Sequence, residues 1–329
     1  MIFLALSLIA ILLAGVVYQA VGTALDKRRY PPPGRIVEGM HLRVEGAGDP
    51  TVVLEAGIAA TSLSWSRVQP EVAKFARVLS YDRAGLGWSG PASGPRTVDR
   101  LVAELRQLLA GAGLPGPYVL VGHSFGGLVA RAFAARYPDE VAGLVLVDPV
   151  HPREWWPVGA AQRAMLERGI KLSRRGALLA RIGVVRFALA MLMAGQRAVP
   201  RLLARVSSGR GVHFTERIVG EVRKLPPEVW PAVRAHWCRP ERFEAMAGYL
   251  EALPESARDC AEPPPTRIPC IVLAADNANE LRRREYEREA SLSPKGRFQV
   301  VPNSGHWIML DSPEVVVRAI RTILEASQA

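Results

Sequence analysis

Cysteine is scarce in this chain: Cys238, Cys260 and Cys270 are the only three among 329 residues. Their spacing is not that of a metal site and their odd number leaves a thiol unpaired, which argues for ordinary reduced thiols rather than a disulfide framework. Acidic side chains are also in short supply, 31 against 42 basic ones, giving a net charge of +11. Such an excess suits phosphate neutralisation. Yet no zinc-ligand cluster, no basic stretch interleaved with base-stacking aromatics and no recognition helix accompanies it, so nucleic acid is set aside as a partner and a membrane-facing role for the charge is preferred. Internal repeats and low-complexity tracts are missing, and with 49% apolar residues the chain has ample material for a core.

From Met1 to Leu25 there is no charge at all, and the segment is rich in Leu, Ile, Val and Ala, long enough to span a bilayer core as a helix. Asp26, Lys27, Arg28 and Arg29 end it. A cleaved signal peptide normally has a basic leading region and a shorter apolar stretch, so an uncleaved anchor (1–25) is the first reading and secretion after signal cleavage the second. The basic cluster follows the span, so the positive-inside rule places the remainder of the chain on the cytoplasmic side.

After the linker Tyr30-Pro31-Pro32-Pro33-Gly34 (26–34 overall), short apolar runs alternate with longer helix-compatible ones, the rhythm of an α/β sheet with helices on its faces. Strands are expected at Ile36 to Val44, as antiparallel edge structure, then at Thr51 to Glu55, Arg77 to Tyr81, Tyr118 to Val121, Gly143 to Val147, Ile268 to Ala274 and Arg297 to Val301. Between Thr97 and Ala110, Val98, Leu101, Val102, Leu105, Leu108 and Leu109 recur at helical spacing. The alternation breaks at 151–265, which reads as an inserted helical cap closed by Glu262-Pro263-Pro264-Pro265, between core segments 35–150 and 266–329. Within the cap, Arg168 to Arg210 carries Arg168, Lys171, Arg174, Arg175, Arg181, Arg186, Arg197, Arg201, Arg205 and Arg210 and no acid. That pattern suits either a solvated basic face or an amphipathic stretch lying on anionic lipid.

The sharpest chemical signal is Gly122-His123-Ser124-Phe125-Gly126, fed by the apolar run Tyr118 to Val121 and followed by an Ala-rich helix-like run from Phe125 to Tyr137. A serine on a tight strand-to-helix turn is presented above a sheet, and glycines at the flanks let the chain pass closely without a Cβ clash. The hydroxyl needs a general base. His306 has the best context, in the loop Pro302-Asn303-Ser304-Gly305-His306 after the last expected strand and before the helix start Ser312-Pro313-Glu314. A carboxylate must then orient the imidazole. Asp148 follows Gly143 to Val147, and Asp276 follows Ile268 to Ala274; both remain candidates, against plain turn or capping roles.

Gly57 after an apolar strand, Trp65, Tyr81-Asp82-Arg83-Ala84-Gly85-Leu86-Gly87-Trp88-Ser89, Gly122-His123-Ser124-Phe125-Gly126-Gly127, and Gly305-His306 with Asp311-Ser312-Pro313-Glu314 together resemble the α/β-hydrolase fold superfamily over residues 35 to 329. The resemblance implies an eight-stranded, mostly parallel sheet with a helical cap after the sixth strand. Many members carry the acid after the seventh strand in a Gly-x-x-Asp-like turn, from which Ala275-Asp276-Asn277-Ala278 departs. Others, including a branch of the haloalkane dehalogenases, place it after the sixth, matching Asp148, which is therefore preferred with Asp276 behind it. By the same resemblance the oxyanion hole comes from the backbone N–H groups of Ile58 and Phe125, and Asp82 is structural.

The expected activity is that of a serine hydrolase needing no metal or organic cofactor, acting on an ester. Trp155, Trp156, Phe187, Met191, Met193, Trp230 and Trp237 in the cap favour a hydrophobic acyl group, although aromatics at such spacings are more often core. Perhydrolysis or carbon–carbon bond cleavage by the same triad is the enzymatic alternative. A non-catalytic ligand-binding protein on the same scaffold is the alternative of another class.

Overall fold

A computed structural model describes residues 2–194, 224–261 and 266–328. Arg197, Arg201, Arg205, Arg210 and the run 262–265 lie outside the described residues. The strands are β1 (Arg35–Val37), β2 (Met40–Glu45), β3 (Thr51–Glu55), β4 (Val78–Tyr81), β5 (Tyr118–His123), β6 (Val141–Val147), β7 (Cys270–Ala275) and β8 (Arg297–Val301). They form one eight-stranded sheet in the order β1-β2-β4-β3-β5-β6-β7-β8, parallel except where β2 pairs with β1 and β4. One expectation needs correction. Ile36 to Val44 is not a single strand: Glu38 and Gly39 both take positive φ, 50° and 76°, and reverse the chain so that Val37 faces Met40. Two consecutive left-handed residues make the tight turn whose twist suits a hairpin, and glycine accepts that conformation without strain.

Alternate residues along the strands feed two cores, because successive side chains point to opposite faces. Val53, Leu79, Leu120, Leu146 and Val272 face one cluster; Val52, Leu54, Val78, Val121, Val145 and Leu273 face the other. Helix α1 (Ile2–Arg29) precedes the sheet, and α2 (Gln69–Val72) lies between β3 and β4. On the first face, α3 (Val98–Gly111) buries its six periodic apolar residues beside α4 (Phe125–Arg136). Burial on both faces explains why the central strands read as continuous apolar runs.

Between β6 and β7 the described elements are all helical: after a short turn at Pro152–Glu154 come α5 (Ala160–Arg181), α6 (Val184–Met193), α7 (Trp230–Trp237) and α8 (Pro240–Asp259). Helices α5 and α8 run antiparallel, with Gly176 against Phe243 and Gly169 against Leu250. Arg174 pairs with Glu251 at 2.6 Å, and Arg181 pairs with Glu244. Part of the basic excess of this region is thereby matched by acids on the neighbouring helix. After β7 come α9 (Glu280–Ala290), the short α10 (Ile308–Asp311) and α11 (Pro313–Gln328), whose apolar side closes the second core. Helix α1 is long and apolar enough to cross a membrane, a property shared by membrane anchors and signal sequences.

Candidate active site

The strand-to-helix turn at Ser124 is as tight as the sequence requires. Ser124 sits at φ 53°, ψ −119°, a backbone region that costs a non-glycine residue about 1–3 kcal/mol. A Cβ at Gly122 would come within 2.5 Å of the Gly126 carbonyl oxygen, and one at Gly126 within 2.5 Å of the Glu55 oxygen. Strain and close passage together hold the serine side chain at the carboxyl end of β5, at the N-terminus of α4.

Three side chains meet there. The Ser124 hydroxyl lies 3.0 Å from His306 Nε2, and His306 Nδ1 lies 2.6 Å from Asp148 Oδ2. The latter geometry fixes the imidazole tautomer, with Nδ1–H donating to the carboxylate and Nε2 left to accept from the serine. Asp148 follows β6 with φ 39°, its own N–H bonded to the Leu273 carbonyl at 2.7 Å, and its Oδ1 accepting from the Ala275 N–H at 3.1 Å. Burial pushes the Asp148 carboxyl upward, but the His306 hydrogen bond and charge and the Ala275 N–H outweigh it, so its pKa lies below the ordinary carboxylate value. The group is an anion at neutral pH. Asp276 is exposed and used elsewhere: its Oδ2 accepts the Asn303 N–H at 3.0 Å, bracing the loop that carries His306.

Gly57 stands beside the serine, where an added Cβ would meet Ser124 Cβ at 3.4 Å and the His123 ring at 3.0 Å. Its carbonyl accepts from Arg83, as does that of Ala56 at 3.0 Å. Across a planar trans peptide the C=O and N–H point in opposite directions, so drawing the Gly57 carbonyl toward Arg83 turns the Ile58 N–H away from it. Neither the Ile58 nor the Phe125 N–H has an intramolecular acceptor among the described residues. Arg83 is itself fixed, 3.5 Å from Glu55 and stacked near the rings of Phe125 and Tyr249.

A model of the alpha/beta hydrolase family matches residues 52–319. The chain belongs to that family. Among its relatives, the lipase LipV of Mycobacterium tuberculosis is 40% identical over 111 residues, 33% of the chain and 41% of LipV. The sn-1-specific diacylglycerol lipase ABHD11 of Mus musculus is 26% identical over 248 residues, 75% of the chain and 71% of the relative. The chain spans less than half the length of several other curated relatives that it matches. A thermophilic esterase from Thermogutta terrifontis shares the fold, with a TM-score of 0.64 at 24% identity over 88% of the chain and 94% of the esterase.

Two residues of the candidate site escaped the sequence reading. His123, inside the pentapeptide itself, donates from Nε2 to the His306 carbonyl at 2.9 Å. Burial, with the neighbouring His306, drives its pKa down to about 3, so the ring is neutral and tethers the histidine loop without competing for the proton. Arg242 of α8 donates to the Ala59 carbonyl and so links the helical insertion to the Gly57–Ala59 loop. A histidine between glycine and serine gave some signal; nothing local in the sequence marks Arg242. Asp82 is buried with Oδ1 on the Ser62 N–H at 2.7 Å and Oδ2 on His41 at 2.9 Å and the Trp88 N–H at 3.0 Å, holding the turn that presents Arg83. The aromatic and methionine set of the insertion divides: Trp156, Phe187, Met193 and Trp230 are exposed, Met191 is half-buried, and Trp155 and Trp237 pack on the cores.

Proposed function

We propose that this hydrolase is a serine esterase acting on hydrophobic or lipid-like carboxylic esters through an acyl-enzyme. The carrying observation is the continuous hydrogen-bonded series from Ser124 through His306 to Asp148, at 3.0 and 2.6 Å. Ser124 Oγ attacks the ester carbonyl carbon while its proton passes to His306 Nε2, and Asp148 stabilises the imidazolium that results. The oxyanion is received by the Ile58 and Phe125 N–H groups, each such donor worth roughly 3 kcal/mol in the transition state. The tetrahedral intermediate then collapses, its C–O bond to the alcohol breaks, and His306 returns the proton to the departing alkoxide. Water repeats the sequence: His306 takes its proton, the hydroxide adds to the acyl carbon, and Ser124 leaves with that proton restored.

An oxygen leaving group requires less protonation than an amide nitrogen, which favours esters. The relatives whose names describe lipases lend the same direction. An apolar α1 that anchors the chain, with the hydrolase domain on the cytoplasmic side, would hold the enzyme beside such substrates. The proposal is tested with p-nitrophenyl esters of increasing acyl length. Purified protein is expected to hydrolyse them with a preference for apolar chains, and Ser124→Ala to reduce kcat by several orders of magnitude. Turnover retained in Ser124→Ala, or absent in the wild type, would overturn it.

A further inference from the structure

Helix α1 does not stand clear of the hydrolase. Gln19, Thr23 and Asp26 recur at i, i+4 and i+7 and so share one face. All three accept from a single guanidinium: Arg186 of α6 reaches Gln19 Oε1 at 3.0 Å, Thr23 Oγ1 at 3.2 Å and Asp26 Oδ2 at 2.6 Å. Gln19 also donates to the Cys238 carbonyl at 2.8 Å, and Arg234 of α7 lies 4.0 Å from Asp26. Backbones touch as well, since a Cβ on Gly15 would lie 2.3 Å from the Ile182 oxygen and one on Gly183 2.7 Å from the Gly15 oxygen. Gln19 and Arg186 are 6% and 7% exposed. A signal segment that is cut away would leave a buried guanidinium stripped of these partners, an arrangement that folds poorly because an unpaired charge is then held out of water.

The part of α1 before this clasp is different. From Ile2 to Tyr18 it has no charge and its large apolar side chains are exposed, over about 26 Å at 1.5 Å per residue, close to the thickness of a bilayer core. Within the clasped stretch Val21 and Leu25 remain exposed on the outer side, and Lys27, Arg28 and Arg29 follow it. The chain turn at Ile182–Gly183, where α5 gives way to α6, touches α1 at the boundary between these two parts. Leu178 and Phe187, on either side of that turn, are 60% and 48% exposed. We infer that α1 is retained and clasped to the helical insertion through Arg186, so that the α5–α6 elbow, with Leu178 and Phe187, rests in the surface of a lipid bilayer. This rests on the reading of α1 as an anchor and adds that the insertion is seated on the membrane rather than tethered at a distance.

The full chain, with Phe187→Cys carrying an environment-sensitive thiol fluorophore, is reconstituted into phosphatidylcholine vesicles containing phosphatidylserine; the native cysteines are all buried and spare the label. Folding is checked by thermal unfolding. The protein is expected to float with the vesicles, and the label to shift to the blue and be quenched by lipids carrying a quencher near the headgroup. Adding Asp26→Asn and Arg186→Gln is expected to abolish the shift while flotation persists. Flotation without any shift or quenching in the single variant would overturn the seating and leave the anchor standing. Failure to float would remove the anchor and the inference with it. Protein isolated from cells with an N-terminus beyond Asp26 would overturn retention.

Discussion

At the scale of single residues, the turn at Ser124 was legible because its constraints are local. Gly122 and Gly126 are dictated by backbone that passes within 2.5 Å of where a Cβ would be, and such a demand is written at fixed spacing around Ser124. The choice between Asp148 and Asp276 leaned on the family resemblance, which preferred Asp148, since both follow strands and only the arrangement in space decides which reaches His306. The structure puts Asp148 at 2.6 Å from the ring and Asp276 on the Asn303 N–H. The consequence is measurable in ester turnover. Asp148→Asn should lower kcat by about 10⁴-fold, through loss of the tautomer and of imidazolium stabilisation, while Asp276→Asn keeps kcat near that of the wild type. The reverse ranking would assign the orienting role to Asp276.

At the scale of elements, parallel strands announce themselves as apolar runs because both faces are covered, and α3 does so by its periodic stripe. The β1–β2 hairpin was missed for a complementary reason: its turn is only two residues long, Glu38 and Gly39, with apolar residues directly on both sides, and only Gly39 marks the reversal. Helix α11 shows how strongly the sheet depends on its covers. Ile320 is fully buried against the second core. Ile320→Ala should cost about 2–5 kcal/mol of unfolding free energy and Ile320→Val about 0.5–1.5 kcal/mol, read from urea denaturation at pH 7. Equal, small losses for both would show that α11 packs more loosely than described.

At the scale of the whole molecule, long-range polar pairing was the least legible feature. Gln19, Thr23 and Asp26 look like minor interruptions of an apolar run until Arg186, distant in sequence, is seen among them. Buried histidines tie the fold to pH in a similar way. Burial lowers His123 and His236 from 6.5 to about 3, so both are neutral in the folded protein while the unfolded chain takes up protons below 6.5. Their contribution is complete above pH 6.5 and is lost as pH falls toward 3, at about 1.4 kcal/mol per pH unit for each. Denaturation midpoints measured at pH 7 and pH 5 should therefore fall on acidification, and unchanged midpoints would contradict neutral, buried rings.

The proposed activity stands or falls on Ser124 as the nucleophile that accepts the acyl group, activated by His306. Its most direct test is peptide mapping by mass spectrometry after treatment of the folded protein with a fluorophosphonate. A single phosphonyl adduct is predicted on the peptide that contains Ser124, abolished in Ser124→Ala and strongly slowed in His306→Gln. An adduct on another residue, or labelling that persists in Ser124→Ala, would contradict the account.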